Sequence, residues 1–130
     1  MYISIISASH RQKSQSKKVS DTLQRQLKKM EPSLNLFCLD LALCDLPLWS
    51  PEKKLGEGVW GETWKNISDN FKKSDGFIFV VPEYGGMATP NSKNLFLLCG
   101  EGELAHKPSL IVSVSSGNGG SYPIADLRSF

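Results

Sequence analysis

The sequence is poor in side chains that hold metals or form cross-links. It has two histidines, His10 and His106, and three cysteines, Cys38, Cys44 and Cys99. The cysteine count is odd and no pair has C-x-x-C spacing, so neither a disulfide framework nor a zinc site is indicated. Cys38 and Cys99 stand among leucines and phenylalanines, and the expectation is reduced, buried thiols. Long apolar runs are missing too. No segment approaches the ~18 apolar residues that a membrane-spanning helix needs. The first residues lack a charged region followed by a cleavage-site pattern, so no secretory signal is expected and the expected location is the cytoplasm.

The 130 residues suit one domain over 1–130 with one core. Net charge is only +2, but it is unevenly placed. Residues 1–30 hold Arg11, Lys13, Lys17, Lys18, Arg25, Lys28 and Lys29 against a single acid, Asp21. Such a cluster can mark a nucleic-acid surface. No recognition motif accompanies it, and a solvated helix face beside an anion pocket accounts for it better. The expectation is no nucleic-acid partner and no membrane partner.

Periodicity predicts four strands alternating with four helices. Residues 2–8 read as a buried strand on Tyr2, Ile3, Ile5 and Ile6. Residues 16–30 read as a helix, with Val19, Leu23, Leu27 and Met30 spaced by four, four and three, and Pro32 ends it. Residues 34–39 form the second strand. Residues 59–73 carry Val59, Trp60, Trp64, Ile67 and Phe71 at helical spacing, and Trp60 and Trp64 are expected in the core. The run Phe77–Val81 is unbroken and apolar, as in a strand buried on both faces of a parallel sheet. A helix over 93–100, a strand in "SLIVSVSS" and a last helix near 121 complete the order. The expected fold is α/β, a doubly wound parallel sheet.

Three strand-ending loops are chemically loaded, and a parallel sheet puts all three on one edge, where ligands of such sheets bind. The first, "SASHRQKSQS", runs into a helix N-terminus, where free N–H groups and the helix dipole favour an anion. Ser9, Ser14 and Ser16 offer hydroxyls, and Arg11 can bridge phosphate oxygens. A helix cap would explain one serine, but not the set. The loop is neither G-x-x-x-x-G-K-[ST] nor G-x-G-x-x-G, which argues against a nucleotide triphosphatase and a dinucleotide-binding Rossmann site. The second loop, "PEYGGMATP", and the third, "SSGNGG", suit a flat polar heterocycle. Gly85 and Gly86 allow close backbone approach, Tyr84 can pack against a ring, and Ser115, Ser116 and Gly117 present hydroxyls and main-chain groups. Each of these two loops alone reads equally as an ordinary turn.

Together the loops resemble those of the NADPH-dependent FMN reductase family, flavodoxin-like proteins that include quinone and azo-dye reductases. The family's first loop reads roughly G-S-x-R-x-x-S-x-N; here Ser9, Arg11 and Ser14 match, Ala8 replaces glycine and Ser16 replaces asparagine. Its second signature is P-E-Y-N-G with L-K-N a few residues on. Pro82, Glu83, Tyr84 and Gly86 match, as do Lys93 and Asn94, while Gly85 replaces the asparagine and Ser92 the leucine. The resemblance covers the whole chain. It implies an FMN site made by Ser9, Arg11, Ser14, Gln15, Ser16, Pro82, Glu83, Tyr84, Gly85, Gly86, Ser115, Ser116 and Gly117. It further implies NADPH or NADH as co-substrate, a quinone, flavin or similar small electron acceptor, and a homodimer or homotetramer. No catalytic side chain is required, since the flavin carries the chemistry; Glu83 is expected to shape its loop rather than to move protons.

Two other readings stand beside the reductase. A flavodoxin-type electron carrier tends to be strongly acidic, and a net charge of +2 counts against it. A non-enzymatic flavin-binding or interaction protein would fit a shortened chain. Members of the family usually continue into a fifth strand, whereas "SYPIADLRSF" falls where their last helix begins. A truncated product, a fragment and a short variant all fit that. The expected sheet then has the order 2-1-3-4, with its fourth strand an open edge, part of an apolar face bare, and a tendency to self-associate or to be marginally stable.

Overall fold

The computed structural model describes residues 1–51, 61–100, 102–117 and 119–129. Its elements follow in the expected alternation: β1 (Tyr2–Ser7), α1 (Gln15–Met30), β2 (Asn35–Asp40), α2 (Gly61–Lys73), β3 (Gly76–Pro82), α3 (Pro90–Leu98), β4 (Ser109–Val114) and α4 (Ser121–Leu127). Val59 and Trp60, expected to begin the second helix, lie outside the described residues. Trp64 is buried, as its helical spacing implied.

All four strands are parallel, in the order β2-β1-β3-β4. This is the flavodoxin-like arrangement. Ile5 sits between Cys38 on one side and Ile78 on the other, and Phe79 faces Ile111 across the β3–β4 pair. The apolar run of β3 is buried almost throughout, because helices cover both faces of a central parallel strand. On one face, Trp64, Ile67 and Phe71 of α2, Leu95 and Leu98 of α3 and Leu127 of α4 close over Phe77, Phe79 and Val81. Phe71 is fully buried, edge-on to both Phe37 and Phe77 at centroid distances of 6.2 and 5.2 Å.

Helix α1 is seated differently. Its buried residues are Ser16 and Ser20, and Ser20 Oγ donates to the Ser16 carbonyl at 2.9 Å. Small side chains at the contact let the helix lie close to the sheet. Val19, Leu23 and Leu27 are left only half-buried, and Met30 is 79% exposed.

Two expectations need correction. The third helix starts at Pro90, not at residue 93: Thr89 caps it by accepting from the Ser92 N–H, and proline belongs in a first turn, where an N–H has no partner to lose. The cysteines are not uniformly buried. Cys38 is exposed, because β2 is an edge strand, and Cys44 and Cys99 are half-buried; all three are free thiols. β4 lies at the other edge, where Leu110 is 54% exposed.

Candidate functional site

The carboxyl ends of β1, β3 and β4 open on one side of the sheet, and a cavity of about 260 Å³ lies among the loops that leave them. Its floor is the first turn of α1. Ser14 is the N-cap, and its Oγ accepts the Lys17 N–H at 3.1 Å. Ser16, in the same first turn, is 1% exposed, and its Oγ has no hydrogen-bond partner. A buried hydroxyl without a partner costs free energy, and such groups mark places where another species supplies the missing bond. Arg11 and Lys13 are exposed at the rim and make no ion pair among the described residues. A helix N-terminus, a spare hydroxyl and two cationic side chains together fit a phosphate.

The loops are tied to one another. Ser9 Oγ accepts the Arg11 N–H at 3.1 Å and shares a hydrogen bond of 3.0 Å with the Tyr84 hydroxyl. The His10 ring meets Tyr84 edge-on at 5.1 Å. Thr89 Oγ1 donates to the Ala8 carbonyl at 2.6 Å. The Glu83 N–H continues the β3–β4 ladder onto the Val114 carbonyl, and its Oε2 accepts the Gly120 N–H at 2.6 Å. Glu83 thus braces its loop against the turn after β4.

Of the residues singled out in the sequence, Ser9, Arg11, Ser14, Gln15, Ser16, Pro82, Glu83, Tyr84 and Ser116 all line this cavity. Gly85, Gly86, Ser115 and Gly117 do not. Gly85 and Gly86 form the tip of a turn closed by two Tyr84–Met87 backbone hydrogen bonds, with φ of +58° and +75°. That left-handed region tolerates asparagine best after glycine. The exchange of asparagine for Gly85 between the family pattern and this chain therefore keeps the turn. Ser115 Oγ accepts the Gly117 N–H at 3.2 Å, an internal brace of the third loop. Sequence reasoning missed Lys13 and Val114, which also line the cavity. Lys13 was legible as a second cation in the loop after β1; Val114 was not, since only the strand register brings it there.

A larger cavity of about 540 Å³ opens toward the start of β4, among Phe96, Leu104 and Ser109. Its buried acid, Glu103, already accepts from Ser68 Oγ at 2.7 Å and faces Lys72 at 3.5 Å. None of the three loaded loops reaches it. No group of three or more metal-ligating side chains exists among the described residues, and none of the described helices is long and apolar enough to cross a membrane.

Comparison with known proteins shows a family and a fold. The sequence pattern described as NADPH-dependent FMN reductase matches residues 1–130. A quinone reductase of Pseudomonas putida is 30% identical over 124 residues, covering 92% of this chain and 63% of that protein. The chain thus spans less than two thirds of the length of that relative. Among solved structures, the Paracoccus denitrificans flavoenzyme FerB, an NAD(P)H:(acceptor) oxidoreductase, superposes with a TM-score of 0.73 at 23% identity, over 98% of this chain and 69% of its own. A Corynebacterium diphtheriae oxidoreductase superposes with a TM-score of 0.79 at 17% identity, over 98% and 71%. At those identities the likeness is one of fold.

Proposed function

The chain belongs to the NADPH-dependent FMN reductase family, and from that premise we propose that it is an FMN-dependent NAD(P)H oxidoreductase that reduces a quinone, a flavin or a similar small acceptor. The observation that carries the reading is the Ser16 hydroxyl, buried without a partner in the wall of a cavity rimmed by Arg11 and Lys13. A phosphate monoester is the ligand that uses all of these at once. The cavity of about 260 Å³ falls below the ~300–1,000 Å³ of sites that enclose whole drug-sized ligands. It suits the phosphate end of FMN, leaving the ring to lie along the loops after β3 and β4.

FMN, when bound, supplies the hydride and electron chemistry. The chain's own residues then do three things. Arg11, Lys13, Ser14, Gln15 and Ser16 would hold the phosphate. Pro82–Gly86, with Ser115, Ser116 and Gly117, would offer main-chain groups to the ring edges. Glu83 keeps the second and third loops in register, a task its bond to Gly120 serves and proton transfer does not require. The quinone acceptor is suggested by the P. putida relative, a quinone reductase. A cytoplasmic location and assembly as a homodimer or homotetramer belong to the same proposal; exposed Met30 and Leu110 supply apolar surface that assembly would cover.

The test is titration of FMN into ligand-free protein, followed by flavin and tryptophan fluorescence. Saturable binding is expected. Arg11→Ala should weaken FMN by roughly tenfold, the scale of a charge-assisted hydrogen bond, while leaving riboflavin, which has no phosphate, nearly unchanged. Oxidation of NADPH with a quinone by the loaded protein then tests the reaction. Failure of folded protein to bind FMN defeats the proposal.

A further inference from the structure

The loop between β3 and α3 is anchored at its two ends, by the tie between Tyr84 and Ser9 and by buried Ala88 and Thr89. Its tip packs on little: a Cβ added at Gly85 would meet no atom within 4 Å. Two successive glycines with positive φ give that tip many alternative shapes in isolation. α4 adds a second set of contacts along it. At the near end, Gly120 donates to Glu83 Oε2. In the middle, Tyr122 comes within 4.0 Å of where a Gly86 Cβ would stand. At the far end, Asp126 Oδ2 accepts the Ala88 N–H at 3.0 Å, while Oδ1 pairs with Lys93 Nζ at 2.8 Å. One carboxylate therefore grips both the end of the loop and the first turns of α3, 38 residues away in sequence from the N–H it accepts.

We infer that Asp126 is a positioning residue: by holding Ala88 and Lys93 together it sets the shape of the 83–88 loop against which a flavin ring would lie. The inference rests on the flavin reading for its functional half, but not for its mechanical half. Asp126 does not line the phosphate-end cavity; what it touches is the Ala88 N–H and Lys93. It also gives Lys93 of the K-N pair a task, while Asn94 holds the segment after β2 by accepting from the Trp49 N–H at 2.8 Å and donating to the Pro47 carbonyl at 2.9 Å.

The experiment compares wild type, Asp126→Ala and Asp126→Asn. Amide hydrogen exchange over residues 83–89 is read in ligand-free protein, and riboflavin and inorganic phosphate are titrated separately. Asp126→Ala should speed exchange at Ala88 at least tenfold and weaken riboflavin about tenfold, with phosphate binding unchanged. Asp126→Asn keeps an oxygen acceptor for the Ala88 N–H, so it should restore most of both. If Asp126→Ala fails to fold, protection of Ala88 and near-normal riboflavin affinity in Asp126→Asn still support the clamp, and their loss overturns it. Unchanged exchange over 83–89 in folded Asp126→Ala overturns it outright. So does equal weakening of riboflavin and phosphate, which would mean general loosening. Wild type that binds neither riboflavin nor FMN, yet shows Ala88 exchange controlled by Asp126, overturns the flavin reading and the functional half with it, and leaves the mechanical half supported.

Discussion

Ser9 Oγ and the Tyr84 hydroxyl lie 3.0 Å apart, joining the loop after β1 to the loop after β3 across 75 residues of sequence. The same Ser9 oxygen also accepts from the Arg11 N–H, so one hydroxyl ties the second loop to the backbone that carries Arg11 at the rim of the cavity. Tyr84→Phe removes one neutral, part-buried hydrogen bond and leaves the ring in place. The expected cost is about 0.5–1.5 kcal/mol, read as a lowered urea midpoint with an unchanged m-value. FMN affinity should fall more than riboflavin affinity, because the freed strut bears on Arg11.

Acid should loosen the clamp. The Lys93 ammonium, and then the Ala88 N–H, hold the Asp126 carboxyl below its ordinary value of 3.8. A group whose folded pKa lies below its unfolded one adds stability above the unfolded value and loses it as pH falls through the folded one. Glu31, held down by Ser33, and Asp69, held down by Lys65, act in the same direction. The urea midpoint should therefore be flat near neutrality and fall below about pH 4, and Asp126→Asn should show a shallower fall.

The three thiols should differ in reactivity. Burial pushes the Cys99 thiol up to about 12, with the nearby Glu103 carboxylate adding to it. Cys38 is also raised by burial, but its residue is exposed and Lys17 works against the rise. At pH 8, iodoacetamide should modify Cys38 first and Cys99 only on unfolding, as followed by peptide mass spectrometry. Rapid alkylation of Cys99 in folded protein would contradict the packing around it.

Phe71 tests the core. It is fully buried and touches aromatic rings on two strands, Phe37 of β2 and Phe77 of β3. Phe71→Ala should cost about 3–5 kcal/mol, visible as a large drop in the urea midpoint. A loss below about 1 kcal/mol would mean that α2 is not seated on the sheet as described.

Much of this was legible in the sequence because the relevant signals are local. Alternating apolar runs and helical stripes suffice for the four strands, the four helices and a parallel sheet. The first loop, which lines the cavity, was legible because it concentrates hydroxyls and cations ahead of a helix. Thr89 and Pro90 are also local signals, a cap followed by a first-turn proline, set ahead of the Leu95–Leu98 stretch whose Leu95 and Leu98 are buried. What could not be read depends on the third dimension. Cys38 looks like a core residue until β2 proves to be an edge. Val114 reaches the cavity only through strand register, and Asp126, an unremarkable acid in a short helix, matters only because α4 folds back over the loop after β3.

That fold-back has a consequence for how the second loop acquires its shape. The partners that brace the second loop, Gly120 and Asp126, lie more than thirty residues beyond it in sequence. A domain folds as a unit, so the loop can take its final shape only in a chain long enough to include α4. A chain cut before Gly120 would keep the tie between Ser9 and Tyr84 and lose both braces.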